Sequence, residues 1–224
     1  MDFTRRKTQT VCREKRNTKE SKDDFNWEYL LLVDARNAAC HLGSTKLSIA
    51  IKDRYPKARF HYLVLPRKDV TAPQILTVHD LTVADIQLLE DMLQLAQQLA
   101  VATGMGLEQF KFGYHMGAHM KPLHMHVISR DFDSPSLKRV RHWNIFNEKI
   151  FLTHADVVRD LLTNGKVQSL PEDEFEAIRN GPMTCSVCGY VTTDLLFIKI
   201  HILKHFPRPT TYQNGSIFNF FSCQ

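Results

Sequence analysis

Leu123-His124-Met125-His126-Val127-Ile128 is the stretch whose reading decides the fold. Side chains of a strand alternate between its two faces, so as a strand it puts His124 and His126 on one face. Leu123, Met125 and Val127 are then left to anchor the other. Working upstream, Phe110 to Met116 is a second strand candidate, ending in Gly113-Tyr114-His115. Phe60 to Leu65 is a third, carrying His61, and it pairs with the alternation Leu47, Ile49, Ile51. Between those two, Asp53-Arg54-Tyr55-Pro56-Lys57 has turn chemistry, and Pro56 bars a continuous ladder. The pattern predicts strands that bring His61, His115, His124 and His126 to one cleft.

Helices flank these strands in the sequence. Thr82 and Asp85 make a capping-box-like start, after which Ile86, Leu89, Leu93, Ala96 and Ala100 recur at helical spacing until Gly104. A second stripe, Leu88, Met92, Leu95 and Leu99, predicts that this helix is covered on two sides. A short apolar helix is expected over Trp27 to Asp34, and another is opened by Thr153 and Asp156 and closed by Gly165. The fold class is α+β: an antiparallel sheet with flanking helices. Pro171-Glu172-Asp173-Glu174 reads as a polar linker, and the segment after Pro207 is aromatic without a readable period.

Residues 1–24 carry eight basic and five acidic side chains and almost nothing apolar, which predicts a disordered basic tail. Its Arg5-Arg6-Lys7 and Arg13-Glu14-Lys15-Arg16 clusters suit a nuclear localisation signal or a loose phosphate-binding arm, and equally a solvated surface. No apolar h-region follows them, so no secretory signal is expected. The longest apolar run, Tyr29 to Val33, is far short of a membrane span. Over the whole chain 29 Lys and Arg face 24 acids, a formal charge of +5, which leans toward a polyanionic partner. Of five cysteines only Cys185 and Cys188 stand close together, so a secreted disulfide scaffold is not expected.

Any one of the histidines, taken alone, is more readily a hydrogen-bonded core or surface residue than a catalyst. Their clustering points to chemistry. Metal binding is the competing use of paired histidines, but no H-E-x-x-H spacing is present. A nucleophilic pair fits better.

Two further runs carry a resemblance. Ile51-x-Asp53-x-x-Pro56-Lys57-Ala58-x-x-His61-x-Leu63-Val64-Leu65-Pro66 resembles the nucleotide-binding half of histidine-triad proteins, and the His124-x-His126 run resembles their catalytic half. Ser134-Pro135-x-Leu137-Lys138-x-x-x-His142-Trp143-x-x-Phe146-Asn147, with Gly113-Tyr114-His115 and Asp131-Phe132, is similar to the aprataxins within that superfamily. The likeness covers roughly residues 25–206 and departs from the H-x-H-x-H pattern where Pro122 replaces the first histidine. It implies a histidine-triad fold and a hydrolase that removes AMP from 5′-adenylated DNA ends, restoring the 5′ phosphate through a covalent adenylyl-histidine.

In that reading His124 is the nucleophile; an unperturbed imidazole has a pKa of about 6.5 and is mostly neutral at neutral pH. If its support is a backbone carbonyl accepting from Nδ1, Pro122 keeps it, since proline loses only its N–H. His126, His61 and Lys138 are expected to surround the phosphate, and His115 to serve the leaving oxygen as general acid. No catalytic metal is required. Asp53 is expected to accept from the ribose hydroxyls, although without the surrounding motif an Asp in a turn is more simply a cap. Tyr55, Lys57 and Met120 join the substrate-binding set, and Trp27 with Leu30 is expected on a helix that stacks on an exposed base pair, the alternative being a core tryptophan. His119 falls where a small residue is expected.

Cys185-x-x-Cys188, twelve residues, then His201-x-x-x-His205 matches C2H2 zinc-finger spacing. One structural zinc is expected, with Ile198 packing inside and Lys199 and Lys204 available to phosphates. Loss of Cys185 is expected to lower stability and DNA affinity while sparing the triad chemistry. The resulting plan is a tail over 1–24, a catalytic domain over 25–170, linker and finger over 171–206, and a tail over 207–224. Only 26 residues precede Trp27, which leaves no room in this chain for the forkhead-associated domain that many aprataxins carry. A nuclear monomer acting on nicked or double-stranded DNA ends, RNA-DNA junctions included, with AMP as product and no membrane partner, completes the expectation. The rival readings are a small-molecule nucleoside phosphoramidate or dinucleotide polyphosphate hydrolase, a non-enzymatic zinc-finger DNA-binding protein, and an RNA cap scavenger.

Overall fold

The computed structural model describes residues 27–68 and 74–207. The expectations for residues 1–24 and for the tail beyond Pro207, and everything about the Trp27 side chain, lie outside the described residues.

Six strands form one antiparallel sheet: β1 (His41–Ser44), β2 (Ser48–Lys52), β3 (His61–Pro66), β4 (Phe110–His115), β5 (Met125–Ser129) and β6 (Phe151–Thr153), in the spatial order β1-β2-β3-β5-β4-β6. Every residue of β5 is buried. It lies between β3 and β4, with Leu63 and Gly113 both opposite His126. The register at Gly113 needs glycine, since a Cβ there would come within 2.3 Å of the Leu152 carbonyl oxygen.

One face of the sheet is covered by α2 (Ile86–Val101), whose Leu89, Met92, Leu95, Ala96 and Leu99 pack with Val64, Met125 and Val127. The expected capping box forms at Thr82 and Asp85, but around a short 3-10 turn that precedes the helix proper. Thr153, Asp156 and Gly165 bound α4 (His154–Asn164) as the sequence predicts. The other face carries the histidines and is walled by α1 (Leu30–Ala35), α3 (Val140–Asn147) and α5 (Glu172–Asn180).

Here α5 corrects the expected linker. Pro171 occupies its N-cap, and Glu172, Asp173 and Glu174 stand in its first turn, where carboxylates meet the positive end of the helix dipole. The acidic run that suggested a solvated linker is thus a helix start.

The finger consists of the hairpin β7 (Met183–Thr184) and β8 (Val191–Thr192) followed by α6 (Leu195–His205). It shares a core with the sheet domain: Met183, Cys185, Ile198 and Ile202 pack with Phe132, Trp143 and Phe146. Trp143 Nε1 donates to the Thr184 carbonyl at 3.0 Å. Lys199, expected at phosphates, turns inward instead, donating to the carbonyls of Ser134 (2.9 Å) and Leu137 (3.3 Å).

Candidate active site

A cavity of about 390 Å³ opens on the histidine face, within the size range of small-ligand sites. His61 comes from β3, His115 from the end of β4, His126 from β5 and His124 from the residue before it. Their rings are in mutual contact, with centroids 4.2 Å apart for His115 and His126, 4.8 Å for His124 and His126, and 5.2 Å for His61 and His126. Phe146 lies against three of them at 4.6–5.4 Å.

The hydrogen bonds fix where each proton sits. His124 Nδ1 donates to the Pro122 carbonyl at 2.9 Å, the bond expected to survive the loss of histidine at that position. A neutral imidazole carries one N–H, so the lone pair of His124 is on Nε2. Lys57 N–H donates to His61 Nδ1 at 3.1 Å, which leaves His61 Nε2–H to donate to His126 Nδ1 at 2.9 Å. The proton of His126 is therefore on Nε2, and that atom is buried with no partner. A lone pair and an unspent donor thus occupy neighbouring rings.

Burial keeps the cluster neutral. It lowers His61 to about 4, against the opposing pull of Asp53, and lowers His124, where the Pro122 carbonyl works the other way. His115 and His126 are held well below the usual histidine value, again chiefly by burial and then by the neighbouring histidines. Lys57 is lowered by burial as well, with Asp53 opposing.

Asp53 Oδ1 accepts from Tyr55 N–H at 2.6 Å, so the turn-capping reading holds for one oxygen. Its Oδ2 stays 3.6 Å from His61 Nδ1 and faces the cavity. Asp53, His61 and His126 also have metal-like spacing. The acceptor nitrogens of both histidines in that trio are already engaged by N–H donors, which removes the lone pairs a metal would need.

Leu30, Tyr55, Lys57, His119 and Met120 line the cavity together with Asp53 and the four histidines. Lys138 does not: it is exposed outside the wall, where its charge reaches Lys57, and its backbone N–H donates to His142 Nδ1 at 3.2 Å. The physical reason is that Arg139 is the N-cap of α3. Lys138 precedes the helix and turns outward, while Arg141 and His142 stand on its first turn and line the wall. Those two, with Ile145, Phe146, Phe175 and Arg179, are among the wall residues that sequence reasoning did not assign to the site. The signal was the four-residue spacing of Arg141 with Ile145 and His142 with Phe146, which puts each pair on one helical face.

The finger's donors also converge. Ligand atoms of Cys185, Cys188, His201 and His205 all lie within 4.8 Å of one another. Cys188 Sγ is 3.1 Å and His205 Nε2 3.2 Å from His201 Nε2. Two thiolates and two imidazoles closing on one point suit a tetrahedral zinc and leave no position open for chemistry. This is a structural zinc site.

Comparison with known proteins bears on both halves. Residues 26–142 match the family described as scavenger mRNA decapping enzyme C-term binding. The chain belongs to that family. Residues 147–208 match the C2HE / C2H2 / C2HC zinc-binding finger, so the match begins before the sequence-predicted linker and includes α5. Among curated relatives, the chain is 36% identical over 156 residues to aprataxin of Ciona intestinalis, covering 69% of this chain and 39% of that protein. It is 33% identical over 189 residues to aprataxin of Danio rerio, covering 84% of this chain and 56% of that one. It therefore spans about half the length, or less, of these relatives. A solved structure titled Hnt3 in complex with DNA and guanosine has the same fold, with a TM-score of 0.56, 18% identity and coverage of 80% of this chain and 95% of its own. The expected kinship with aprataxins and the histidine-triad fold are both confirmed.

Proposed function

We propose that this chain is a DNA-repair hydrolase that removes AMP from 5′-adenylated DNA ends. The observation that carries the chemistry is the fixed pair of proton positions: a bare Nε2 on His124 beside an unpartnered Nε2–H on His126. His124 Nε2 attacks the phosphorus of the adenylate, forming a P–N bond as the P–O bond to the leaving group breaks. His126 donates to the charge developing on the phosphate oxygens, where a preorganised donor in a dry site counts most. His115 stands beside the leaving oxygen, but the general-acid role expected of it is not needed on DNA: burial holds its ring neutral, and a phosphate leaving group, already a weak base, departs without a proton. Water then attacks the adduct in a second in-line step, releasing AMP and the 5′-phosphoryl end. Asp53 Oδ2 accepts from the ribose, and the wall of Leu30, Leu31, Ile51, Leu63 and Met120 receives the base.

A DNA substrate is supported by the aprataxin relatives, by the DNA in the Hnt3 structure, by the charge of +5 and by the attached finger. Counted from Leu195 as the helix start, the finger positions that read base edges, −1, 3 and 6, hold Asp194, Phe197 and Ile200. Asp194 is spent capping the N–H groups of Leu196 and Phe197. Such a finger grips without reading sequence, as an enzyme for any broken end requires. We place the protein in the nucleus, as a monomer, with RNA-DNA junctions among its substrates. The family description favours one competitor, a methylated cap dinucleotide.

The test is a comparison of turnover on a nicked duplex bearing 5′-AMP, AMP-lysine, diadenosine polyphosphates and a methylated cap dinucleotide, with acid trapping of the adduct. AMP release fastest from the nicked duplex, with AMP trapped on His124 and none released by His124→Ala, is expected. Equal or faster action on the small molecules, or no adduct on that ring, overturns the assignment.

A further inference from the structure

The cavity has two unlike walls. On the β2 and β3 side stand Asp53 and an apolar set; α5 brings Phe175 and Arg179 to the wall beyond the end of β4. Between them α3 runs across the histidines, its Phe146 against His61, His115 and His126. Phe175 fixes which end α5 serves: its ring packs over Gly117, two residues beyond His115, so closely that a Cβ on Gly117 would come 2.5 Å from Phe175 Cζ. Arg179 is one helical turn beyond Phe175, on the same face.

Arg179 is held in place. Asn144 Nδ2 donates to the carbonyls of Ile178, Arg179 and Gly181 at 2.9–3.3 Å, and the Lys149 to Glu174 ion pair ties down the first turn of α5. The Arg179 side chain is only 20% exposed, and its guanidinium is paired at 2.5 Å with Glu176, whose side chain is 38% exposed. The other Glu176 oxygen accepts from Asn180 at 2.8 Å. A cation in a cavity wall on the leaving-group side, neutralised by a more exposed carboxylate three residues away, is suited to exchange that partner for an anion entering the cavity.

We infer that Arg179 of α5 forms a phosphate subsite for the leaving group, with Glu176 as its resting counter-ion. The inference rests on the proposed reaction for its direction, since it takes the β2 and β3 wall as the nucleoside side. A guanidinium binds phosphate through paired N–H donors, so the subsite selects leaving groups that carry a phosphate over those that do not. Residues 147–208, matched to a zinc-binding finger, thereby contribute directly to substrate choice.

The test uses Arg179→Gln, Arg179→Lys and Glu176→Gln in the full zinc-loaded chain. KM and kcat are measured on the 5′-adenylated nicked duplex and on AMP-lysine, whose leaving group has no phosphate. Affinities for ADP and AMP are measured by calorimetry in a His124→Asn background that cannot turn over. Arg179→Gln is expected to raise KM on the duplex about tenfold, the loss of one charge-assisted bond, and to leave AMP-lysine unchanged. It should erase the preference for ADP over AMP, and Arg179→Lys should restore part of both. Glu176→Gln should act in the opposite sense, lowering KM on the duplex and tightening ADP. Equal losses on both substrates, no loss on either, or the same sign for Arg179→Gln and Glu176→Gln would overturn the subsite. If the wild type released no AMP from DNA, the proposed function would fall, while the ADP margin would still decide the role of Arg179.

Discussion

The relay from Lys57 through His61 to His126 predicts a specific failure of additivity. His61 reaches the phosphate only through His126, by setting which nitrogen of that ring carries the proton. His126→Ala removes one preorganised donor, at a cost of about 10²- to 10³-fold in kcat. His61→Ala removes the acceptor of the Lys57 N–H and frees His126 to take the other tautomer, which would turn a lone pair toward the phosphate oxygens. Loss of one buried bond and of the tautomer it fixes should cost about 10- to 100-fold. Because both act at the same N–H, the double variant should lose no more than His126→Ala alone. Independent contributions would multiply instead, to about 10³- to 10⁵-fold. Single-turnover release of AMP from AMP-lysine reads the chemical step, and nitrogen chemical shifts of the imidazoles report the His126 tautomer directly. His61→Gln, whose amide can donate to His126 Nδ1, should recover part of the rate. Multiplicative losses, or an Nδ1–H tautomer on His126 in the wild type, would refute the reasoning.

Other consequences follow from burial and packing. The unfolded chain takes up a proton at His61 near pH 6.5 while the folded protein refuses it until about pH 4. This part of the stability is complete above pH 6.5 and is lost as pH falls toward 4; the gap is worth about 3 kcal/mol, and His115 and His126 act in the same sense. Urea unfolding across that range should show a shallower loss for His61→Gln than for the wild type; identical slopes would exclude the mechanism. Asn144→Ala should destabilise by about 1 to 3 kcal/mol, because it removes a fully buried donor from three part-buried carbonyls at the end of α5, and an unchanged urea midpoint would contradict this. Chelating the zinc should lower kcat/KM even on AMP-lysine, with recovery on adding zinc back; activity that survives chelation would show the two halves to be uncoupled.

What was legible in the sequence depended on how many constraints each segment obeyed. The histidine strands could be read because alternation, turn residues and chemistry agreed at Asp53 to Lys57 and at Leu123 to Ile128. Helix α4 announced both ends through Thr153, Asp156 and Gly165. By contrast α3 has no side-chain cap and buries a polar Asn144 completely, so neither start signal nor apolar stripe marks it. Its start decides that Arg141 lines the cavity and Lys138 does not. The acids opening α5 read as linker because charge runs usually are solvated, and only the fold reveals that Phe175 behind them closes the site. The edge strand β1 is short and lacks alternation.

The catalytic domain and the finger, consecutive segments in the sequence, share one core in the packing. Cys185 is 1% exposed and sits in one core with Trp143, Phe132 and Phe146. Phe146 is at once a member of that core and the aromatic surface against which His61, His115 and His126 rest. A close-packed interior transmits displacement, since filled space leaves side chains few other positions. Releasing Cys185 from zinc frees the hairpin whose Thr184 carbonyl holds Trp143, and Trp143 lies between the site residues His142 and Asn144's anchor of α5. Against the expectation that Cys185→Ser spares the triad chemistry, the shared core predicts that losing the finger's fold displaces Phe146 and with it the surface on which the histidines rest.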